Sequence, residues 1–379
     1  MKQYDVAIIG SGPSGASAAY TLAQQGISTV IIEKENLPRY KTCGGGLVYR
    51  GIKHLPFDVS SVVECTFNKV DLYFDIMGIH LHTERDKPII SMIMRDDFDH
   101  FLVKKSQEFG IELLQKCKLE ALSFENDRIN LTTTQGTVYA QFVIAADGAL
   151  STTAKLSGWE ETRLLIPALE YEVEVSKGDF ERLSKTVRFD FDAVPLGYGW
   201  CFPKKNHLSI GLASTRRKKI NLKALYRNYL KTLGIDNVVN EDLHGFQIPV
   251  TPRTDCFVKN GVFLVGDAAG FADPVTAEGI SNAILSGNMA AKAIIKSELN
   301  TKKAEELYNV DLNATLLTEL KTGVRLSKLF YEQAKIRNYF MKQYGQPLAE
   351  AMTEVFMGER SYPHDVVKQI KKRLKKALF

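Results

Sequence analysis

Cysteine is scarce in this chain, and long apolar runs are absent from it. The five cysteines are odd in number and form no C-x-x-C pair, which argues against a disulfide framework and a structural zinc site. No apolar stretch approaches the length that crosses a bilayer. An apolar strand already begins at residue 4, so we expect no signal peptide. Together these absences predict a protein of the reducing cytoplasm.

Several functional signatures are missing as well. The chain has no Walker motif and no Ser-His-Asp pattern, and His80 and His82, which share a strand face, lack a third metal ligand. The net charge of +5 is modest and no basic patch is interleaved with aromatic residues, so we expect no nucleic-acid partner. A chain of 379 residues with 45% hydrophobic residues can bury a large core in two closely joined domains.

The first motif in the chain is a glycine-rich segment, G-S-G-P-S-G at residues 10–15, between a predicted apolar strand and a predicted helix. Such glycines permit a tight turn, approach of the backbone to a pyrophosphate, and close packing of helix on strand. The next strand ends at Glu33, whose carboxylate can bind both hydroxyls of a ribose, a combination that an ordinary glycine-rich turn does not need. The predicted cofactor contacts here are Gly10, Gly12, Pro13, Ser14, Gly15, Glu33 and Lys34.

A second glycine motif, G-D-A-A-G at residues 266–270, follows the apolar strand 262–265. The strand delivers Asp267 towards the ribityl and pyrophosphate region of a flavin nucleotide. A helix from about Gly279 then points its positively polarised N-terminus at the flavin ring. The alternative is an ordinary strand–turn–helix with Asp as the cap. The predicted contacts here are Gly266, Asp267, Pro274, Gly279 and Ile280.

With Asp147-Gly148 after the strand 142–146, the two motifs resemble the hydroxylase-type flavoproteins of the glutathione-reductase class. Three shorter signatures resemble the geranylgeranyl reductase family over roughly residues 1–300. They are K-T-C-G-G-G at 41–46, R-D-D-F-D at 95–99 and Y-G-W-C-F-P at 198–203. That family's last motif closes on G-x-G, and Ala213 replaces the final glycine here.

The resemblance implies FAD as the cofactor and assigns roles to particular residues. Arg95 is expected to contact the FAD pyrophosphate with two parallel hydrogen bonds, and Leu119 to contact the adenine edge through its backbone. Asp147 and Gly148 belong to the same cofactor site. Cys43 is the candidate catalytic residue; it either tunes the flavin or helps to deliver a proton, or it is only a small wall residue. The glycines expected beside the flavin are Gly44, Gly45 and Gly46.

An aromatic strand supplies the predicted substrate site. Tyr198, Trp200 and Phe202 alternate along one strand face, and with Pro203 they predict an apolar tunnel for an isoprenoid chain. The alternative is an aromatic strand in an ordinary core.

The predicted fold is α/β: a Rossmann-type FAD-binding domain interleaved with an antiparallel-sheet substrate domain, followed by a C-terminal helical region. We assign residues 1–65, 95–165 and 246–300 to the FAD-binding domain, 66–94 and 166–245 to the substrate domain, and 301–379 to the helical region.

The predicted activity is reduction of a C=C bond in an isoprenoid chain by hydride transfer from N5 of reduced FAD. A flavin-dependent monooxygenase or halogenase is the main alternative, and a prenyl-lipid carrier is a third. Because there is one dinucleotide fingerprint, the electron donor is expected to be NAD(P)H that binds transiently or a reduced redox protein. We expect a monomer.

The basic, amphipathic pattern of residues 365–379 predicts a helix that contacts a membrane surface, although the same pattern suits a solvated last helix.

Overall fold

The computed structural model describes residues 2–125, 128–216 and 220–362. The basic pattern at 365–379 lies outside the described residues. Within them the strands are β1 (Lys2–Ile9), β2 (Thr29–Ile32), β3 (Gly46–Val48), β4 (Val63–Phe67), β5 (Lys69–Phe74), β6 (Ile79–Glu84), β7 (Ile90–Ile93), β8 (Glu112–Leu114), β9 (Leu119–Glu125), β10 (Arg128–Thr133), β11 (Gly136–Ala145), β12 (Leu165–Val175), β13 (Val187–Asp190), β14 (Gly197–Pro203), β15 (Leu208–Ser214), β16 (Val238–Pro249), β17 (Val258–Lys259) and β18 (Val262–Leu264).

The helices of the same residues are α1 (Pro13–Ala23), α2 (Tyr49–Ile52), α3 (Arg95–Gln107), α4 (Thr152–Leu156), α5 (Lys177–Leu183), α6 (Leu222–Thr232), α7 (Gly266–Ala269), α8 (Ile280–Lys296), α9 (Thr301–Ala314), α10 (Leu316–Ser327) and α11 (Ala334–Met357).

The first sheet is the predicted Rossmann-type core. Its path is β17-β18-β11-β1-β2-β8, and β18, β11, β1, β2 and β8 are mutually parallel. The central strands are buried because helices cover the sheet, which explains their near-continuous apolar sequences. The segment 111–122 in the sequence predicts one strand, and this prediction is wrong, since it holds all of β8 and the start of β9. A turn with Lys116 at φ +53° separates β8 from β9, and β9 pairs with β10 instead.

The second sheet has the order β16-β12-β15-β14-β13-β5-β6. The antiparallel sheet predicted for the substrate domain is confirmed, but β5 and β13, which are far apart in sequence, pair in parallel. One face packs against α6 through Tyr226, Tyr229 and Leu230. The opposite face carries Tyr198 and Trp200 and looks towards the Rossmann-type core.

Two chain segments depart from the predicted division. β7, within the predicted substrate segment 66–94, pairs with β3 and β4 in a separate three-stranded sheet. β16 is continuous across the predicted boundary after residue 245, because all of its length pairs with β12.

The helical region predicted after residue 301 contains α9, α10 and α11. A π-helical turn at Lys328–Glu332 joins the last two, and α11 bends at Tyr344, whose φ of −138° is not helical, three residues before Pro347. In the described part of the chain, no helix combines the length and apolarity that a bilayer crossing requires.

Candidate active site

A cavity of about 780 Å³ lies where the parallel strands β1, β2 and β11 end, facing the second sheet. This edge is where open α/β sheets bind ligands. The predicted residues that line it are Gly10, Gly12, Pro13, Ser14, Glu33, Lys34, Cys43, Gly44, Gly45, Gly46, Arg95, Leu119, Asp147, Gly148, Tyr198, Trp200, Phe202, Asp267, Gly279 and Ile280.

Four predicted residues lie behind the lining. Gly15 is packed on β1, and Gly266 faces Ser14. Pro274 is buried against Gly323 of α10, so it positions a loop by packing. Pro203 uses its carbonyl to accept a hydrogen bond from the Cys65 thiol.

The three glycines of the first motif differ in what constrains them. Gly10 has φ +102°, and a methyl group there would lie 2.5 Å from the Ala146 carbonyl oxygen. At Gly15 the methyl would lie 2.1 Å from the Gly10 carbonyl oxygen. At Gly12, whose φ is −71°, the nearest atoms are 3.9 Å away. The protein itself therefore demands glycine at positions 10 and 15 but leaves room for a methyl group at position 12.

A chain of charges surrounds this motif. The Glu33 carboxylate accepts the Ser11 N–H at 3.0 Å, and Arg39 lies 3.7 Å from the same carboxylate. Arg39 also pairs with buried Asp99, which Arg95 binds with two hydrogen bonds of 2.8 and 2.9 Å. Burial disfavours the charge of Arg95, but Asp99 and then the Cys43 thiol raise the pKa of its guanidinium. The network thus holds a cation close to the N-terminus of α1.

The second motif places a buried acid, Asp267, and the N-terminus of α8 at the same cavity. Burial raises the pKa of Asp267, and the charges of Lys41, then Arg95 and Arg163, oppose the rise. α8 begins directly after Gly279, which lines the cavity, and the Glu278 side chain accepts the Ser281 N–H of its first turn at 2.7 Å. Arg163 donates to the carbonyl oxygens of Ala268 and Ala149, which ties this motif to the end of β11.

The Cys43 loop is held by the buried side chains of Glu170 and Lys204. Glu170 of β12 accepts the Cys43 N–H at 2.7 Å. Lys204 donates to the Gly44 and Ile93 carbonyl oxygens, each at 2.8 Å. The Cys43 sulfur accepts the Gly45 N–H at 3.4 Å. Cys43 is therefore fixed from both sides at the cavity wall.

We expect Lys204→Met to lower the free energy of unfolding by about 1–3 kcal/mol, because it leaves the Gly44 and Ile93 carbonyls without their charged donor. Urea denaturation measures the change. Lys205→Met is the matched control, since Lys205 is an exposed neighbour. Equal stability of the two variants would contradict a structural role for Lys204.

The aromatic strand faces the cavity as its alternation predicts. Tyr198, Trp200 and Phe202 all line the cavity, whereas Cys201 between them packs towards α6. Gly211 of β15 lies opposite Trp200, and a methyl group there would be 2.1 Å from the indole. The wall opposite the Rossmann-type core is therefore aromatic and closely packed.

A second, apolar chamber of about 440 Å³ adjoins this wall. It lies between the second sheet and the helices α10 and α11, and its lining includes Phe74, Leu81, Phe330 and Met341. The residues that line both the cavity and the chamber are Phe189, Tyr198, Thr276 and Phe356. The two spaces therefore share a wall that contains Tyr198, whose hydroxyl donates to the Thr276 carbonyl.

Sequence reasoning missed several of these residues. Arg39 stands in a loop with no motif, and Lys204 follows the aromatic strand directly. Glu170 lies in the alternating stretch L-E-Y-E-V-E-V, which is typical of a strand with one solvated face. The local sequence of β12 does not indicate which of its two faces lines a cavity and which is exposed to solvent.

The lining fits a flavin dinucleotide. The N-termini of α1 and α8 both lie at the cavity, and helix N-termini stabilise phosphate and other anionic groups. Glu33 lies at the end of β2, where a ribose-binding acid is expected. The room for a methyl group at Gly12 leaves space for a phosphate to approach the backbone there.

Comparison with known proteins agrees with this fit. A family model described as FAD binding domain matches residues 3–307. An uncharacterized protein of Methanosarcina barkeri is 33% identical over 341 residues, covering 87% of this chain and 84% of that protein. The chloroplastic geranylgeranyl diphosphate reductase of Arabidopsis thaliana is 29% identical over 401 residues, covering 97% and 83%.

Solved structures share the fold. A geranylgeranyl bacteriochlorophyll reductase-like protein from Thermoplasma acidophilum superposes with a TM-score of 0.76 at 24% identity, covering 86% of this chain and 87% of that one. The halogenase PltM, in complex with phloroglucinol and FAD, has a TM-score of 0.71 at 18% identity, covering 94% and 83%. FAD is the cofactor, as predicted. The chain belongs to the FAD binding domain family, and a geranylgeranyl diphosphate reductase is among its relatives.

Proposed function

We propose that this protein is an FAD-dependent reductase that saturates C=C bonds of an isoprenoid chain. The observation that carries the proposal is the apolar chamber that shares a wall with the cofactor cavity at Tyr198. An isoprenoid chain that extends from the chamber past this wall presents a double bond to the cavity while its other carbons stay out of water. The volume of about 440 Å³ is within the roughly 300–1,000 Å³ of small-molecule pockets.

The residues divide the work between the two spaces. The lining residues of the two glycine motifs, with Glu33 and Arg95, hold the dinucleotide. Tyr198, Trp200 and Phe202 position the reacting part of the isoprenoid chain, because their aromatic faces form one wall. Bound FAD supplies the reducing equivalents when it is in the reduced state.

Cys43 stands at the boundary between cofactor and substrate. It lines the cavity, and its sulfur accepts the Gly45 N–H at 3.4 Å. We assign it to the reaction site as a wall of fixed shape that sets the approach of the substrate. Electrons reach the cofactor from NAD(P)H that binds transiently or from a reduced redox protein.

Anaerobic turnover tests the function directly. The purified protein is reduced with dithionite and mixed with geranylgeranyl diphosphate or a geranylgeranylated lipid. We expect the flavin absorbance to return and the mass of the chain to rise by the mass of two hydrogens for each saturated bond. The two substrates distinguish a diphosphate head from a lipid head.

The alternatives give different results in the same experiment. A monooxygenase or halogenase would leave the flavin reduced until oxygen was admitted, and it would then modify an aromatic substrate. A carrier would bind the isoprenoid without reoxidising the flavin. The reductase is favoured because the Arabidopsis thaliana reductase is 29% identical to this chain and the halogenase only 18%.

A further inference from the structure

Glu170 is a buried carboxyl group on the wall of the cofactor cavity. Its exposed fraction is 1%, yet it lines the cavity beside Cys43. In the part of the chain that the structure describes, no Lys, Arg or His forms an ion pair with it. Its partners are neutral: the Cys43 N–H at 2.7 Å and the Ser209 hydroxyl at 2.8 Å. A buried carboxyl group without a cation retains its proton more readily than an exposed one.

The surroundings of Glu170 reinforce this tendency. Burial and then the charge of Glu172, two residues along β12, raise the pKa of Glu170 to about 7. Hydrogen bonds from Ser209 and the Cys43 N–H, and the charge of Lys204, oppose the rise. The titratable and charged groups that face Glu170 from the surrounding elements are Tyr40, Cys43, Glu172, Lys204 and His244.

The Ser209 hydroxyl connects Glu170 to the aromatic wall. Ser209 donates to Glu170 and lies 3.4 Å from the Trp200 indole nitrogen, which donates to it. Trp200 lines the same cavity. Glu170 is therefore held in a short hydrogen-bonded chain between the Cys43 loop and the wall where the isoprenoid chain is proposed to lie.

We propose that Glu170 is the proton donor for the saturation of the isoprenoid double bond. The inference rests on the proposed reductase function. Its basis is the position of a buried carboxyl group on the cavity wall, beside both Cys43 and Trp200 and without an ion-pair partner among the described residues. General acids gain efficiency when their pKa lies near the working pH.

The step balances as follows. The Glu170 O–H bond breaks and its proton forms a C–H bond with the less substituted carbon of the alkene. The positive charge that develops on the other carbon accepts the hydride equivalent from reduced flavin, so the alkene is reduced by two electrons and the flavin is oxidised by two. Glu170 is left as a carboxylate and regains a proton from solvent before the next turnover.

Glu170→Gln tests the role, because glutamine keeps the shape and can still accept the Cys43 N–H but has no acidic proton. We expect kcat for saturation to fall about 100-fold at neutral pH, with FAD binding unchanged. The wild-type rate falls as pH rises through about 7, because the acid form is then lost. The rate of the Glu170→Gln variant does not show this fall with rising pH.

Two further variants on β12 sharpen the test. Glu172→Gln removes the neighbouring charge that raises the pKa of Glu170. The fall of the rate with rising pH should therefore occur at lower pH in this variant. Glu174→Gln changes an exposed residue of the same strand, so we expect it to leave both the rate and its pH dependence unchanged. If Glu170 had a purely structural role, the pH dependence of the rate would not change when the charge at position 172 is removed.

Infrared difference spectroscopy provides a readout independent of turnover. The protonated carboxyl band of Glu170 is expected to disappear near pH 7 in the wild type and to be absent from Glu170→Gln. This titration serves even where the variant folds poorly. A band lost only in the usual acidic range of glutamate overturns the role.

Failure of the inference differs from failure of the function. If the wild type saturates the chain and Glu170→Gln matches its rate, the role of Glu170 is overturned and the reductase proposal stands. If the wild type leaves the chain unsaturated while retaining FAD, the reductase proposal itself is overturned.

Discussion

Gly12→Ala should weaken FAD binding about 100-fold, equivalent to about 2.7 kcal/mol, without lowering the Tm of the FAD-free protein. The structure has room for the new methyl group, since its nearest neighbours would be 3.9 Å away. The middle glycine of this motif lets the backbone approach the pyrophosphate, and a methyl group holds that phosphate away. Fluorescence titration of the FAD-free protein measures the affinity, and thermal unfolding measures the fold.

The other glycines provide the contrast. Gly15→Ala forces a contact of 2.1 Å with the Gly10 carbonyl oxygen, so it should lower the Tm as well as the affinity. Gly178→Ala is the neutral control, because no atom lies within 4 Å of its new methyl group. Retention of normal FAD affinity by Gly12→Ala would place the pyrophosphate elsewhere.

The Rossmann-type half could be predicted because its signals are local. Glu33 and the glycines of residues 10–15 define a strand, a turn and a helix within a short segment, and each turn has a steric reason in the sequence. The Gly266–Ala269 segment follows the same logic. The turn between β8 and β9 was missed because Lys116, a non-glycine residue at positive φ, gives no such signal.

Glu170 escaped prediction for a different reason. Alternation of apolar and acidic residues in β12 fixes two faces but does not say which one meets solvent. The acidic face looks into the cavity because α6 covers the apolar face, and α6 is distant in sequence. The position of Glu170 on the cavity wall is therefore decided by tertiary packing and not by the local sequence.

The apolar chamber was also beyond the sequence signals. Its walls come from β5, β6, β13, α10 and α11, which are scattered over the chain. Two irregular features border it: the π-helical turn that contains Phe330 and the bend before Pro347. Irregular helical turns of this kind occur frequently at functional sites. The sequence of this region indicated helices but not the space between them and the sheet.

Ala351→Trp should block this chamber and lower kcat/KM for a twenty-carbon isoprenoid substrate about 100-fold, equivalent to about 2.7 kcal/mol. Ala351 lies on α11 and lines the chamber, so an indole there occupies space that the chain needs. A ten-carbon geranyl substrate, which needs less of the chamber, should lose much less activity. FAD affinity should not change, because Ala351 does not line the cofactor cavity.

Ala334→Trp is the matched control, since Ala334 is an exposed residue of the same helix that lies outside the chamber lining. Steady-state kinetics with the two chain lengths separate a blocked chamber from general damage, because damage would lower both rates equally. A wild-type rate for Ala351→Trp with the long chain would place the isoprenoid outside the chamber, and the function would then need another site for its substrate.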